Sequence, residues 1–146
     1  MMVSFVSSAQ TINDTFYDVK LGCSYVTAIT TLSNKGVNYY AQNDKITIFE
    51  VDFCGFHFDG LTYEFNEKGC YQVRFIATSS DVISNMEQYA SFVYMASEAL
   101  GTPFADEENE YIYKDDKTVL VIKRFFDSED LLYYFGLTFT LVSEYF

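Results

Sequence analysis

The sequence predicts an α+β fold: a twisted antiparallel sheet of about six to eight strands with two helices packed on one face, in the order helix, strands, helix, strands. Three observations lead to it. The stretch "SSDVISNMEQYASFVYMASEALGTP" places Val82, Met86, Tyr89, Val93, Ala96 and Leu100 at alternating spacings of three and four, the apolar stripe of a helix lying on a core. The stretch "DKITIFEVDFCGFHFDGLTYEFNEKGCYQVRFIA" instead alternates at period two between turn signals, the mark of half-buried strands. The composition, 15 Phe and 13 Tyr with one Pro and seven Gly in 146 residues, supplies a β-favouring core without long structureless linkers. A chain of this length fits one domain.

The opening "MMVSFVSSAQ" reads as the tail of a signal peptide, residues 1–9. Met1, Met2, Val3, Phe5 and Val6 form a short apolar piece, and Ser7, Ser8 and Ala9 supply small residues before a cleavage at Gln10. The basic n-region is missing. Residues 10–146 are then the mature domain, and the expected location is periplasmic or extracellular, reached by bacterial export. Cys23 lies too far past the cleavage point to carry a lipid anchor. No apolar run approaches the roughly 18 residues of a transmembrane helix.

The first helix is expected in "GCSYVTAITTLSNKG", capped by Ser24, with Val26, Ile29 and Leu32 at helical spacing and Gly36 as the left-handed stop. A β meander follows. Asp59-Gly60 is the favoured pair of a two-residue type I′ hairpin, and "NEKG" suits a three-residue loop closed by a left-handed Gly69, which would set Phe65 opposite Tyr71, Glu64 opposite Gln72, Tyr63 opposite Val73 and Leu61 opposite Phe75. These turns would put Phe56, Phe58, Leu61, Tyr63, Phe65, Tyr71, Val73 and Phe75 on a core face. His57, Thr62, Glu64, Gln72 and Arg74 would fall on the other. Phe49, Val51 and Phe53 have the wrong parity, which a bulge or bend near Cys54-Gly55 would reconcile. The second helix starts at Ser79 or Ser80 and stops at Gly101 and Pro103. After the acidic loop "ADEENE", a second meander turns at Asp115-Asp116 and at "DSED". Its last strand buries alternate residues from Leu131 to Leu141.

A capped helix followed by an antiparallel meander, repeated, with "LGTP" (Leu100–Pro103) closing a helix, resembles the β-lactamase-inhibitor-protein-like fold from about Val19 to Val142. It is also similar to small exported bacterial domains of this kind. The resemblance implies a binding or structural role rather than catalysis. The absent lipobox departs from the lipoprotein members of that group.

The formal charge is −12, from 21 acidic and 9 basic residues. That field repels phosphate backbones and anionic membranes, and the densest basic spot is only Lys123-Arg124, so no nucleic acid is expected as a partner. No phosphate-binding loop, nucleophile elbow or zinc-protease motif is present, and neither a cofactor nor a metal is expected. His57, the one histidine, has Glu64 diagonal to it on the polar face. The pair is the candidate for a general base oriented by a carboxylate, in a small enzyme or ligand carrier. Cys54 has core-face parity and Cys70 outer-face parity, which disfavours a bridge between them; Cys23 could meet either. Adjacent tyrosines must send one ring away from the core. Tyr39, Tyr111 and Tyr134 are therefore the candidates for a sheet face that binds a protein partner or a second copy.

Overall fold

The computed structural model describes residues 6–8 and 11–146, with side chains from residue 11 onward. Along the chain come the pairs β1 (Val6–Ser8) with β2 (Thr11–Ile12) and β3 (Thr15–Phe16) with β4 (Val19–Lys20), then α1 (Tyr25–Asn34). The strands β5 (Tyr40–Gln42), β6 (Lys45–Phe53), β7 (Phe56–Asn66) and β8 (Gly69–Ser79) follow, then α2 (Val82–Leu100). The chain ends with β9 (Ala105–Glu107), β10 (Glu110–Lys114), β11 (Thr118–Asp127), β12 (Leu132–Leu141) and the short α3 (Val142–Tyr145). The expected signal-peptide remnant lies outside the described residues except for the backbone of Val6–Ser8, which pairs with Thr11–Ile12.

The fold is α+β, and its sheet is antiparallel with eight strands in the order β5-β6-β7-β8-β12-β11-β10-β9. Each half is a four-strand meander, and the last strands of the two halves, β8 and β12, meet at the centre. One buried cluster joins the core-facing rows of the sheet to Ala28 and Leu32 of α1, Phe92 and Ala96 of α2, and Phe16 of β3. Its centre is aromatic. Phe53 stacks on Phe75 with centroids 4.5 Å apart, Phe16 lies 4.7 Å from Phe139, and Phe92 lies 5.1 Å from Phe135. The buried Tyr63 hydroxyl donates to the Phe16 carbonyl at 2.7 Å, which satisfies both polar groups and ties the N-terminal segment to the sheet.

The expected turn at Asp59-Gly60 is not formed. The hairpin turns five residues earlier, at Cys54 (φ 54°) and Gly55 (φ 84°), the two left-handed residues of a two-residue loop between Phe53 and Phe56. At Asp59 the strand changes face instead. Ile46 and Ile48 are buried on one parity of β6, Val51 and Phe53 on the other, and the switch passes through Glu50 in the left-handed region (φ 56°). β7 switches opposite it, from Phe58 to Leu61, Tyr63 and Phe65. The Asp59 carboxylate takes the Thr78 N–H at 3.0 Å and its hydroxyl at 2.5 Å, where the ladder to β8 has ended at Gly60. A hairpin and a face switch both set apolar residues three apart, so the core set of β7 was legible although its cause was not.

Between β7 and β8 the register matches the sequence reading at Glu64–Gln72, Tyr63–Val73 and Leu61–Phe75. Below it, Phe65 meets Cys70 rather than Tyr71, because a bulge inserts one extra residue. That residue flips the parity: Cys70 is buried in the core, and Tyr71 turns to the opposite face beside Glu64. The helices also differ in detail. Ser24 caps α1 as expected, accepting the Thr27 N–H at 3.1 Å. Its buried side is Ala28 and Leu32, whereas Val26 is 72% exposed. Asp81, not Ser79 or Ser80, caps α2. The buried line of α2 is Asn85, Phe92 and Ala96, rotated from the expected stripe, so Val82 and Met86 face out. Leu131, expected inside, is 67% exposed at a left-handed turn position.

Candidate functional site

His57 and Glu64 do not form one site. They sit seven residues apart on the same strand, roughly 23 Å at the rise of an extended chain. His57 is exposed and directly opposite Asp52, whose Oδ1 is 3.1 Å from Nδ1; Nε2 meets Glu50. These hydrogen bonds, Asp52 first and then Glu50, raise its pKa above the ordinary 6.5. A histidine whose protonated form is favoured by two carboxylates, on an open surface, is a poor base. Glu64 is 8% exposed on the sheet face away from the main cluster. It accepts from Arg74 and from Gln72 Nε2 at 3.2 Å, with Lys45 Nζ at 3.7 Å. That is a cross-strand ion cluster holding three strands in register. A surface hollow of about 630 Å³ lies away from both, between residues 11–20 and the Asp115 turn.

The register separates the three candidate tyrosines. Tyr111 shares a cross-strand row with the buried Ile122, Leu137, Phe75 and Leu61, so it faces the helices and packs 6.2 Å from Tyr89 of α2. Tyr39 lies at the end of α1, its hydroxyl 3.0 Å from Ser33 Oγ. Of the three, Tyr134 stands on the sheet face opposite the core rows, beside Phe125 and Thr78. The expectation of one face bearing all three is corrected by this parity.

Tyr134 belongs to a feature that the sequence reading passed over. β11 runs past its last pairing with β10 at Lys123, while β12 stays paired with β8 as far as Tyr133, so the end of the β11–β12 hairpin has one free edge. On the face of this end opposite the core rows, Phe125 and Tyr134 stack with centroids 4.8 Å apart and planes 3° from parallel. On its other face Phe126 and Tyr133 pack at 4.8 Å. Phe125 is 45% and Phe126 47% exposed, and Leu131 crowns the tip. The start of α2 is fixed at the same end: the buried Asn85 donates from Nδ2 to the Tyr134 carbonyl at 3.1 Å. Val82, Ile83 and Met86 are exposed there. Apolar side chains gathered on one end of a domain mark an interaction surface, whereas scattered ones need no explanation. The available signal was the pair of doublets Phe125-Phe126 and Tyr133-Tyr134. Aromatics on both parities of a pair of strands cannot all reach one core.

Acidic turns shape the tip. Asp127 Oδ1 accepts the Glu129 N–H at 2.8 Å and Asp130 Oδ1 the Leu132 N–H at 3.1 Å. The Tyr134 hydroxyl donates to Asp130 Oδ2 at 2.5 Å, and this bond is the main reason its pKa is raised. Asp115 uses its carboxylate in the same way, on the N–H groups of Ile12, Lys117 and Thr118.

Among the described residues no disulfide is formed; Cys23, Cys54 and Cys70 are thiols. Burial pushes the Cys54 thiol up to about 11 and the Cys70 thiol up to about 12, the opposite of an activated nucleophile. Among the described residues no group of three or more His, Cys, Asp or Glu is placed to hold a metal ion, and no helix is long and apolar enough to cross a membrane. Comparison of the chain with protein families, with characterised proteins and with solved structures finds no match.

Proposed function

We propose that this chain is a non-catalytic interaction domain that docks a protein segment on its aromatic end. The stacked Phe125–Tyr134 pair, with Phe125 45% exposed where β11 runs past its last pairing with β10, is the observation that carries the reading. Stacked rings offer rigid apolar area at low entropy cost, the property that enriches aromatics at binding surfaces. The reading sets α1 and α2 on one side of the sheet, supported by the single cluster that both enter, and leaves the side bearing Tyr134 for a partner. The resemblance to the β-lactamase-inhibitor-protein-like fold implies the same class of role. The apolar opening stretch supports an exported location, periplasmic or extracellular. A pocket enzyme built on His57 and Glu64 loses its support from their separation.

The test is selection of a random peptide library on the immobilised full chain. Selected peptides should lose at least tenfold in affinity for a Phe125→Ser, Phe126→Ser double variant. They should keep affinity for Tyr40→Ser, an exposed aromatic at the far edge of the sheet. Equal binding to both variants, or no selection at all, contradicts the proposal.

A further inference from the structure

The aromatic end has a charge pattern that selects its occupant. Asp127 and Phe125 share the face of β11 opposite the core rows, two residues apart. Asp130 is bonded to the Tyr134 hydroxyl, and Asp59 holds Thr78, the cross-strand neighbour of Tyr134. Asp81 and Glu129 complete an acidic rim beside the apolar side chains of α2 and of the tip. The nearest basic residues precede the tip on β11. Lys123 is paired with Glu110 at 3.7 Å, and Arg124 lies on the face turned to α2, across from the buried Phe135. Among the described residues, no cation at the tip pairs with the carboxylates that border the exposed rings.

From this we infer that the docked partner is a cationic peptide segment, with an arginine or lysine laid on the Phe125–Tyr134 stack and paired to Asp127 and Asp130. The inference rests on the docking reading above and names the partner's chemistry. A ring face attracts a cation through its quadrupole, and carboxylates at the ring edge add the ionic component. The chain already uses the first of these elsewhere: Lys114 Nζ sits 5.2 Å from the Phe104 centroid and 5.6 Å from that of Phe146. A second copy is a poor occupant, because it would bring the same acidic rim, on a chain of charge −12, against itself.

The experiment is an NMR titration of the isotope-labelled full chain with a capped hexa-arginine peptide, and with a capped hexa-glutamine peptide for comparison. Hexa-arginine should give saturable shifts centred on residues 125–134 and 82–86, with little response to hexa-glutamine. Tyr134→Ser should weaken the binding by roughly 2–5-fold, the size of one exposed cation–π contact. Asp127→Asn with Asp130→Asn should weaken it further and flatten its salt dependence. Both amides keep the Oδ1 acceptors of the turn, so this variant tests charge without unmaking the hairpin. Asp115→Asn with Asp116→Asn, in another acidic turn, should leave it unchanged. Shifts spread equally over every acidic turn, or equal affinity in all variants, overturn the inference. Library peptides that are neutral yet bind the same residues overturn it too, while leaving the docking surface itself standing.

Discussion

Replacing Gly69 by alanine should be among the most damaging single-methyl changes in this chain. Gly69 opens β8 at φ +126°, a conformation that L residues rarely adopt. A Cβ there would lie 2.6 Å from the Gly22 carbonyl oxygen and 2.7 Å from that of Cys23. Both are backbone atoms held by the bonds that dock the segment before α1: Gly22 N–H to Cys70 O at 2.7 Å, and Cys70 N–H to Cys23 O at 2.8 Å. The dihedral alone costs about 1–3 kcal/mol. Relieving the clash breaks at least one buried bond, about 1–3 kcal/mol more. The expected loss is about 2–6 kcal/mol. For a chain of this size that lowers Tm by roughly 4–24 °C at about 2–4 °C per kcal/mol. Gly36→Ala is the matched control: its φ is +72° but nothing lies within 4 Å of the added Cβ, so it should lose only the dihedral cost. Thermal unfolding by circular dichroism reads both. Equal losses for the two variants would refute the close docking of the β7–β8 turn on residues 22–23.

Phe92→Ala removes a ring that contacts Phe56, Phe58 and Phe135 at 5.0–5.7 Å and should cost about 3–5 kcal/mol in urea unfolding. His57 should titrate by NMR above 6.5, and Asp52→Asn should bring its midpoint down. A raised folded-state value means that the stability it adds is full below about pH 6.5 and is lost as pH rises through that value. Alkylation at pH 8 should be slow at every cysteine of the folded chain. Cys70, the most buried thiol, should react last and only as the chain opens, as timed by intact mass.

How much the sequence could show depended on whether the information was local. The fold class, the run of α2, the Gly69 turn and the central β7–β8 register follow from period and turn chemistry. The Asp59-Gly60 signal misled because a two-residue turn and a face switch give the same apolar spacing, and only the left-handed Glu50 on the facing strand decides between them. Cys70 and Tyr71 exchanged faces because a single-residue bulge is invisible to alternation. The rotation of α2 turns on Asn85, a polar residue buried because its amide reaches the Tyr134 carbonyl 49 positions away. The same blindness to distant pairing hid the proposed docking surface. Tyr134 was picked out as one of an adjacent pair, but its stack with Phe125 needs the β11–β12 register.

The measurement that tests the central claim most directly is a chemical-shift map of the full chain saturated with one library-selected peptide. The account predicts that the largest changes fall at residues 82–86 and 125–134, with the core rows of the sheet unmoved. Changes centred instead on α1, or on the edge around Tyr40 and Lys45, would contradict it.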